Sequence, residues 1–343
     1  MTRDPEAIRN LLHSANVILG PMAGVTEAPF RGICKRLGAG LTFTEMVSAT
    51  GLHYNPDARA SRALLAFDAA ETPCAVQLFG SDPEVMAEQA RRVVEKGAGA
   101  VALIDINMGC PVSKVVAKGQ GCALMKTPEL AAAIVSATVE RCAVPVSVKF
   151  RSGWDADSAD TPAFARLMES AGASMMTVHA RTRGQFYHGH ADWSVIADVK
   201  AAVDVPVVGS GDVFCAADAL RMLGETGVDA VMVARGAQGN PWIFRESRAL
   251  IDRGEIIAGP TAAERIGVAR AHAAALFAFA GSHALGRMRK HAAWYLHGLP
   301  DAAVVREEIF RTSSFEALDE LLREYGECLQ GSSPLDAPGT RSF

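Results

Sequence analysis

The sequence of this 343-residue chain predicts a (β/α)₈ barrel followed by a C-terminal bundle of helices. Eight short apolar segments, rich in Val, Ile and Leu, have the composition of parallel strands buried on both faces. Helical patterns lie between them, and eight strand–helix units in about 240 residues match this barrel. The predicted strands are Val17–Met22, Leu41–Met46, Cys74–Phe79, Val101–Asn107, Pro145–Phe150, Met175–His179, Pro206–Gly209 and Ala230–Ala234.

The ends of the predicted helices carry capping signals. Helices over Pro83–Lys96, Pro128–Arg141 and Thr161–Ala171 each begin with a polar residue followed by Pro or Thr-Pro. Others are expected to end at glycine, as at Leu223-Gly224. A doubly wound sheet is the structural alternative, but it favours a G-x-G-x-x-G fingerprint after the first strand, which Gly20–Gly24 does not supply.

The composition changes after about residue 245, where Ala, Leu, Arg and Glu dominate and β-branched runs vanish. We therefore expect a catalytic barrel over residues 1–245 and a helical domain over 246–330. Residues 331–343, rich in Ser, Pro and Gly, are expected to form a disordered tail. The helices predicted in the second domain are Thr261–Ala280, His283–His297, Ala302–Arg311 and Ser314–Cys328.

Composition narrows the class of protein. Seven scattered cysteines without a C-x-x-C pair fit a reducing, cytoplasmic environment. No apolar run reaches the roughly 18 residues of a membrane span, and the polar N-terminus does not resemble a signal peptide. A net charge of −4 means that any nucleic-acid partner must be bound by a local basic patch.

Polar and glycine residues follow the apolar strands at their carboxyl ends, where barrel enzymes place their chemistry. Burying such groups without partners is costly, so a bound polar ligand explains them. Gly209-Ser210-Gly211 and Arg235-Gly236 follow strands 7 and 8, the usual place for a phosphate. The other residues at these ends are Pro21, Met22, Ala23, Glu45, Gln77, Asn107, Lys149, Arg151, His179, Arg181, Asp212 and Ala234.

Two of these strand-end residues have a functional and a structural interpretation. Lys149 could stabilise negative charge that develops during a reaction, or it could simply pair with a neighbouring carboxylate. His179 could donate a hydrogen bond to a ligand, or it could be a satisfied structural histidine. His188-Gly189-His190 invites a metal interpretation, but further ligands are not evident in the sequence, so we expect a solvated loop and no metal.

Cys110 is the candidate catalytic residue. It lies in Ile106-Asn107-Met108-Gly109-Cys110-Pro111, just beyond an apolar strand. A thiol with the reference pKa of about 8.5 is mostly protonated at neutral pH and can supply a proton. The alternatives are a small buried hydrophobe or a metal ligand together with Cys122. The loop after it carries Lys114 and Lys118, which could contact an anionic substrate.

Seven motifs in order resemble the signature set of tRNA-dihydrouridine synthases, and most closely the bacterial B-type branch. The resemblance runs from about Val17 to Arg311. The motifs are Pro21–Thr26, Thr44–Val47, Val76–Gly80, Ile106–Pro111, Val148–Arg151, Val178–Arg183 and Ala237–Trp242.

This resemblance implies a cytoplasmic, FMN-containing enzyme that uses NADPH as reductant and tRNA as substrate. Cys110 would then protonate C5 of a uracil while reduced flavin delivers hydride to C6. We expect a monomer. The resemblance and the strand-end positions together predict FMN contacts at Pro21, Met22, Ala23, Gln77, Lys149, His179, Gly209, Ser210, Gly211, Asp212, Arg235 and Gly236. Substrate contacts are predicted at Asn107, Lys114, Lys118, Arg181, Arg287 and Lys290.

The substrate contacts in the helical domain come from a helix face. Arg287, Lys290, His291 and Trp294 have the spacing i, i+3, i+4 and i+7, so we expect them on one side of a helix, where they could contact phosphates. The alternative is an ordinary solvated face with Trp294 docked into the bundle. The barrel half shows no larger basic cluster in its sequence.

Two departures from the family pattern stand out. Ser210 occupies a position where the family commonly has asparagine, and Cys122 adds a second thiol to the loop after Cys110. Two other functions remain open: reduction or oxidation of a small free pyrimidine on the same fold, and RNA binding by a non-catalytic flavoprotein. The sequence does not identify the uridine position.

Overall fold

The computed structural model describes residues 5–13, 16–155 and 160–331. Its eight strands are all parallel, in the order β1-β8-β7-β6-β5-β4-β3-β2. The predicted (β/α)₈ barrel is therefore confirmed. The strands are β1 Val17–Leu19, β2 Val47–Ser48, β3 Cys74–Phe79, β4 Val101–Met108, β5 Val146–Arg151, β6 Met175–His179, β7 Val207–Ser210 and β8 Ala230–Val233.

The second predicted strand, Leu41–Met46, is wrong in its bounds. Only Thr42 and Phe43 make bridges there, to Leu19 of β1 and Ala75 of β3, and these two bridges close the sheet. The regular ladder is the short β2 just beyond. The Thr44 hydroxyl accepts a hydrogen bond from the Gln77 backbone N–H, which a regular ladder would give to a carbonyl.

Helices follow the strands and cover the sheet. The helices Pro83–Lys96 and Pro128–Arg141 have the predicted bounds, and Asp82 caps the first by accepting from the Val85 N–H. The other α-helices of this part are Pro5–His13, Ala28–Arg36, Ala49–Tyr54, Arg59–Leu64, Ser113–Val116, Thr161–Ser170, Trp193–Ala202, Ala216–Thr226 and Ile243–Arg253. Short 3₁₀ helices span Ala69–Glu71, Gly121–Lys126 and Arg235–Ala237.

The amino-terminal end of the barrel is filled by apolar side chains. Ile8 and Leu12, one turn apart on the helix Pro5–His13, are buried in a cluster that includes Phe43, Leu103 and Met175. Burial of this kind stabilises a fold in proportion to the apolar area removed from water. Because this end is packed, the polar strand ends at the opposite side are left for ligands.

The helical part begins with Ala262–Ala280, whose start is a capping box formed by Thr261 and Glu264. This helix packs against Phe315–Gly331, and Arg270 forms a two-point ion pair with Asp319, with N–O distances of 2.6 and 2.8 Å. Leu276, Leu318 and Leu322 are buried. Its remaining helices are Gly281–Ala284, Leu285–Tyr295 and Ala302–Arg311.

The backbone contacts divide the chain into two compact units. Residues up to Ala237 together with Trp242–Ile257 form the first, and Gln238–Pro241 with the residues from Ala258 onward form the second. The helix Ile243–Arg253, which crosses the boundary expected at residue 245, belongs to the first unit. The predicted disordered tail lies outside the described residues except for Gly331.

Candidate active site

A cleft opens at the carboxyl ends of the strands in the first unit. Its cavity volume is about 100 Å³. Most of the residues predicted to bind the cofactor line it, whereas Ala23 is exposed outside it. The cleft is lined by Pro21, Met22, Lys149, His179, Tyr187, Ser210, Gly211, Asp212, Val213, Phe214, Met232, Ala234, Arg235 and Gly236.

Two glycines shape the wall of the cleft beyond β7 and β8. A Cβ on Gly236 would lie 2.2 Å from the Val213 carbonyl oxygen, and one on Gly211 would lie 2.7 Å from the Ala191 Cβ. Gly211 also has φ of 129°, a conformation that favours glycine. Side chains are therefore excluded here, and the backbone itself forms the surface that a ligand would contact.

Gly209 has a different environment from Gly211 and Gly236. A Cβ there would lie 2.6 Å from the Met222 Sδ, on the helix Ala216–Thr226 outside the sheet. Gly209 does not line the cleft. Helix–strand packing therefore explains the need for glycine at this position. Gly209 was predicted from the sequence, together with the loop glycines Gly211 and Gly236, to be a cofactor contact.

Asp212 connects two arginines beside this loop. Its carboxylate accepts hydrogen bonds from Arg181 at 2.7 Å and from the Ala191 N–H at 2.8 Å, and it lies 3.4 Å from Arg235. Burial alone would raise the pKa of Asp212, but the Ala191 hydrogen bond and the two guanidinium groups outweigh burial and lower it. The carboxylate therefore stays ionised and orients Arg235 towards the cleft.

Arg181 was predicted to bind substrate, yet its described contacts are with the protein. It is only 2% exposed, and besides Asp212 it donates to the backbone carbonyls of His188 and Gly189. Arg151 is similarly buried and donates to the carbonyls of Gly109, Thr182 and Phe186. Together these arginines fix the loop after β6, which carries Tyr187 into the cleft.

Lys149 lies in the cleft as a cation without a counter-ion in contact. Its ammonium makes no hydrogen bond or ion pair with any residue in the described ranges. Burial and the charge of Arg151 lower the pKa of Lys149, whereas the charge of Asp105 raises it. This environment favours a ligand that carries negative charge, because such a ligand would replace the lost hydration.

His179 is neutral in this environment. Burial, followed by the charges of Lys149, Arg151, Arg181 and Arg235, lowers its pKa far below the ordinary value. A neutral imidazole offers one N–H donor and one acceptor nitrogen. His179 can therefore donate a hydrogen bond to a ligand without adding a positive charge to the cleft.

Cys110 lies in the loop after β4 and is half-buried. Burial raises the pKa of the Cys110 thiol, and this effect exceeds the opposing influences of the Val112 backbone and the Arg151 charge. The thiol is therefore protonated at neutral pH, as an acid must be. Gly121 (φ 60°) approaches closely: a Cβ there would lie 3.1 Å from the Cys110 Cβ.

Cys122 is fully buried next to the same loop. Its backbone N–H donates to the Cys110 carbonyl at 3.1 Å, and burial raises the pKa of its thiol to about 11. The loop Gly119–Cys122 therefore packs directly beneath Cys110. The extra thiol noted in the sequence is a packed core side chain rather than a solvent-exposed one.

Gln77 and Asn107 lie outside the lining of the cleft and bind each other. The Asn107 Nδ2 donates to the Gln77 Oε1 at 2.8 Å, and the Asn107 Oδ1 accepts from the backbone N–H groups of Gly109 and Cys110. Gln77 in turn donates to Asp105. The sequence identified both amides but missed Asp105, which lies within an apolar strand.

The predicted RNA contacts differ in their exposure. Lys114, Lys118 and Lys290 are exposed and Arg287 is partly exposed. The prediction that His291 could contact phosphates together with Arg287 and Lys290 is wrong, because its side chain is fully buried. The helix Leu285–Tyr295 turns His291 inwards, where its ring lies 4.5 Å from that of His272.

The barrel also carries a basic cluster that the sequence did not reveal. The Lys126 Nζ lies 4.8 Å and the Arg183 guanidinium carbon 4.9 Å from the ring centre of Trp154, so both cations stack on the same indole. Neither cation forms an ion pair with another described residue. These three residues come from different loops, which is why spacing along the chain did not show the cluster.

The fold and the cleft together define a (β/α)₈-barrel protein with a cationic site and an adjacent thiol at the carboxyl ends of its strands. The family model described as dihydrouridine synthase (Dus) matches residues 18–330. The chain belongs to the dihydrouridine synthase family, as predicted.

Several curated relatives match over nearly their whole length. The chain is 42% identical to tRNA-dihydrouridine synthase B of Xanthomonas axonopodis pv. citri, over 93% of this chain and 95% of that protein. It is 41% identical to tRNA-dihydrouridine synthase B of Pseudomonas aeruginosa, over 90% and 92%. It is 40% identical to probable tRNA-dihydrouridine synthase 1 of Synechocystis sp., over 93% and 88%.

A solved structure of histamine dehydrogenase from Rhizobium sp. 4-9 has a similar fold. The TM-score is 0.52 at 14% identity, and the match covers 75% of this chain. The chain spans about half of that protein, 48% of its length. This likeness concerns the fold alone.

Within the described residues, no helix is both long and apolar enough to cross a membrane.

Proposed function

We propose that this chain is a tRNA-dihydrouridine synthase, which reduces the C5=C6 bond of uridine in tRNA with FMN as cofactor and NADPH as reductant. The observation that carries the proposal is the position of a half-buried thiol, Cys110, in the loop after β4, at the same end of the barrel as the cationic cleft. Membership of the family and the names of the relatives support the substrate class.

The cleft fits FMN in its residues. The close backbone around Gly211 and Gly236, together with the side chain of Arg235, would hold the phosphate. Lys149 and His179 would face the ring system, where a cation and a neutral donor stabilise negative charge. Pro21, Met22 and Ser210 would contribute contacts at the wall. When bound, FMN supplies the hydride that is added to C6.

Cys110 would deliver the proton to C5 of the uracil. Because its thiol is protonated, it can act as a general acid without a preceding proton transfer. Asn107 would position the base through the loop that it binds. A uracil within folded RNA must leave its stack to reach this site. Lys114, Lys118, Arg287 and Lys290 would then contact phosphates of the tRNA, and Arg181 would act by fixing the loop beside the base.

The test measures dihydrouridine by mass spectrometry after dihydrouridine-free tRNA is incubated with the protein, FMN and NADPH. We expect dihydrouridine with the parent protein and little with Cys110→Ala, although the variant should keep its flavin. Free uracil, assayed in parallel, should not be reduced. If the flavin is bound and reduced by NADPH but tRNA stays unmodified, the proposal is wrong.

A further inference from the structure

A chain of hydrogen bonds runs from a buried carboxylate to the backbone of Cys110. The Asp105 Oδ2 accepts from the Gln77 Nε2 at 2.7 Å, and the Gln77 Oε1 accepts from the Asn107 Nδ2 at 2.8 Å. The Asn107 Oδ1 accepts from the Gly109 N–H at 3.1 Å and from the Cys110 N–H at 2.9 Å. Asp105 and Asn107 lie on β4 and Gln77 on β3. We call these three side chains the amide relay.

The direction of the amide relay is fixed at both ends. Backbone N–H groups can only donate, so the Asn107 oxygen must face Gly109 and Cys110, and the Asn107 NH₂ must face Gln77. An ionised carboxylate can only accept, so the Gln77 NH₂ must face Asp105. A flipped amide at either position would place two donors or two acceptors against each other. The three side chains are buried, where such a mismatch is costly.

The Asp105 carboxylate makes no ion pair with a described residue, although its charge raises the pKa of Lys149. The Asp105 side chain is fully buried, and its second oxygen accepts from the Ser147 hydroxyl at 2.6 Å. An apolar residue in such a place is often as stable as a buried charge or more so. The cost of burying this carboxylate is explained by its hydrogen bond from Gln77 within the amide relay and by its effect on Lys149.

We propose that Asp105 is a positioning residue for the proton transfer: as an acceptor it orients Gln77 and Asn107, and these hold the Cys110 loop in its reactive geometry. The inference deepens the proposed function and rests on it. It concerns hydrogen-bond acceptance rather than charge, since the amide relay needs an acceptor at position 105 and nothing more.

The first variants separate acceptance from charge. Asp105→Leu removes the acceptor, and we expect kcat for tRNA reduction to fall roughly 10- to 100-fold, the usual cost of a displaced catalytic group, with KM for tRNA unchanged. Asp105→Asn can still accept from Gln77 if its NH₂ turns to the Ser147 oxygen, so most of kcat should remain. If Asp105→Leu keeps the parent kcat, or if Asp105→Asn loses as much as Asp105→Leu, the proposal is overturned.

An exchange of carboxylate and amide tests the amide relay even if Asp105→Leu does not fold. Gln77→Glu alone places two carboxylates together and should lower kcat. In the double variant Gln77→Glu/Asp105→Asn, the new amide at position 105 donates to the new carboxylate at position 77. That carboxylate also accepts from Asn107, so the path to Cys110 is restored. We expect kcat at least about tenfold above that of Gln77→Glu, a non-additive result typical of contacting residues. Additive losses would contradict the proposal.

A readout independent of activity keeps the two proposals distinguishable. The alkylation rate of Cys110 by iodoacetamide, measured by mass spectrometry, should rise several-fold in Asp105→Leu because the loop is released, while the exposed Cys215 reacts at an unchanged rate. If the parent makes no dihydrouridine, the proposed function fails, but this change in Cys110 reactivity still supports the amide relay. Unchanged Cys110 reactivity overturns the amide relay regardless of activity.

Discussion

At the scale of single residues, four cationic side chains in or beside the cleft surround one imidazole that stays neutral. Lys149, Arg151, Arg181 and Arg235 all lower the pKa of His179, after the larger effect of its burial. Such a field prepares the site for a polyanionic ligand before the ligand binds. The same field makes the protein sensitive to acid, because a proton on His179 is disfavoured in the folded state alone.

The acid sensitivity predicts a difference between the parent and His179→Gln. Folding lowers the pKa of His179 below its unfolded value of about 6.5. Above about pH 6.5 the side chain is neutral in both states and does not affect the free energy of unfolding. Below about pH 6.5 the unfolded state gains a proton that the folded state does not, so stability falls with pH. At pH 5.5 the loss is about 1.4 kcal/mol relative to pH 7.5, because only the unfolded state takes up the proton. Urea unfolding of the flavin-free parent and of flavin-free His179→Gln at both pH values measures this loss of stability.

The loss of free energy of unfolding in the parent is compared with the loss in His179→Gln, because other groups also titrate between pH 7.5 and pH 5.5. His188→Gln, in the exposed part of the neighbouring loop, serves as the control substitution. A parent and a His179→Gln variant that lose equal free energy of unfolding between pH 7.5 and pH 5.5 would contradict the neutral, buried His179.

The search for polar residues at the carboxyl ends of the predicted strands found residues at or near those ends, such as Lys149, His179 and Arg235. It missed Tyr187, because that residue lies in a long loop whose path depends on Arg151 and Arg181. It also missed Asp105, because a single carboxylate inside an apolar strand does not disturb the hydrophobic pattern. Side chains that act through tertiary contacts are not visible in local sequence.

At the scale of elements, a glycine in a helical pattern does not by itself mark the end of the helix. The sequence predicted that one helix ends at Leu223-Gly224, and this is wrong, because the helix continues to Thr226. Its true end is Gly227, with φ of 66° and its N–H bonded to the Leu223 carbonyl. Gly224 is an ordinary interior position, where a Cβ would meet nothing within 4 Å.

Two alanine substitutions three residues apart should therefore have opposite effects. Gly224→Ala should raise the free energy of unfolding by about 0.5–1 kcal/mol, because alanine loses less backbone entropy in a helix. Gly227→Ala should lower it by about 1 kcal/mol, because its Cβ is strained at positive φ. Chemical denaturation of the two variants against the parent measures both. Equal signs would contradict the observed helix end.

The second strand shows why element bounds were only partly predictable. Its residues have the apolar composition of a strand, and Thr42 and Phe43 do bridge both neighbours. However, Thr44 binds the Gln77 backbone and the Glu45 carboxylate accepts from the Gly24 N–H at 2.5 Å, so these side chains replace ladder hydrogen bonds. Replacement of backbone partners by side chains is set by the neighbouring strands, not by the segment itself.

At the scale of the whole molecule, the net charge of −4 hides an uneven distribution of cations. Many arginines form ion pairs on helix surfaces, as Arg91 does with Glu95 and Arg92 with Glu88. Lys126 and Arg183, by contrast, stack on Trp154 without an acidic partner among the described residues. Polyanion binding depends on such unneutralised cations rather than on the total charge. The barrel therefore offers a second candidate for phosphate contacts besides Arg287 and Lys290.

The double variant Lys126→Ala/Arg183→Ala tests this surface. If each cation neutralises one phosphate, the slope of log affinity for tRNA against log salt should become less steep by about 1.5, since each contact contributes about 0.7–0.9. Flavin content should not change, because neither residue lines the cleft. Lys96→Ala/Arg166→Ala removes the same charge from exposed helix positions and should leave the slope as it is. An equal slope in all three proteins would assign the phosphate contacts elsewhere, whereas a change confined to the first variant would mean that the barrel itself holds the RNA backbone.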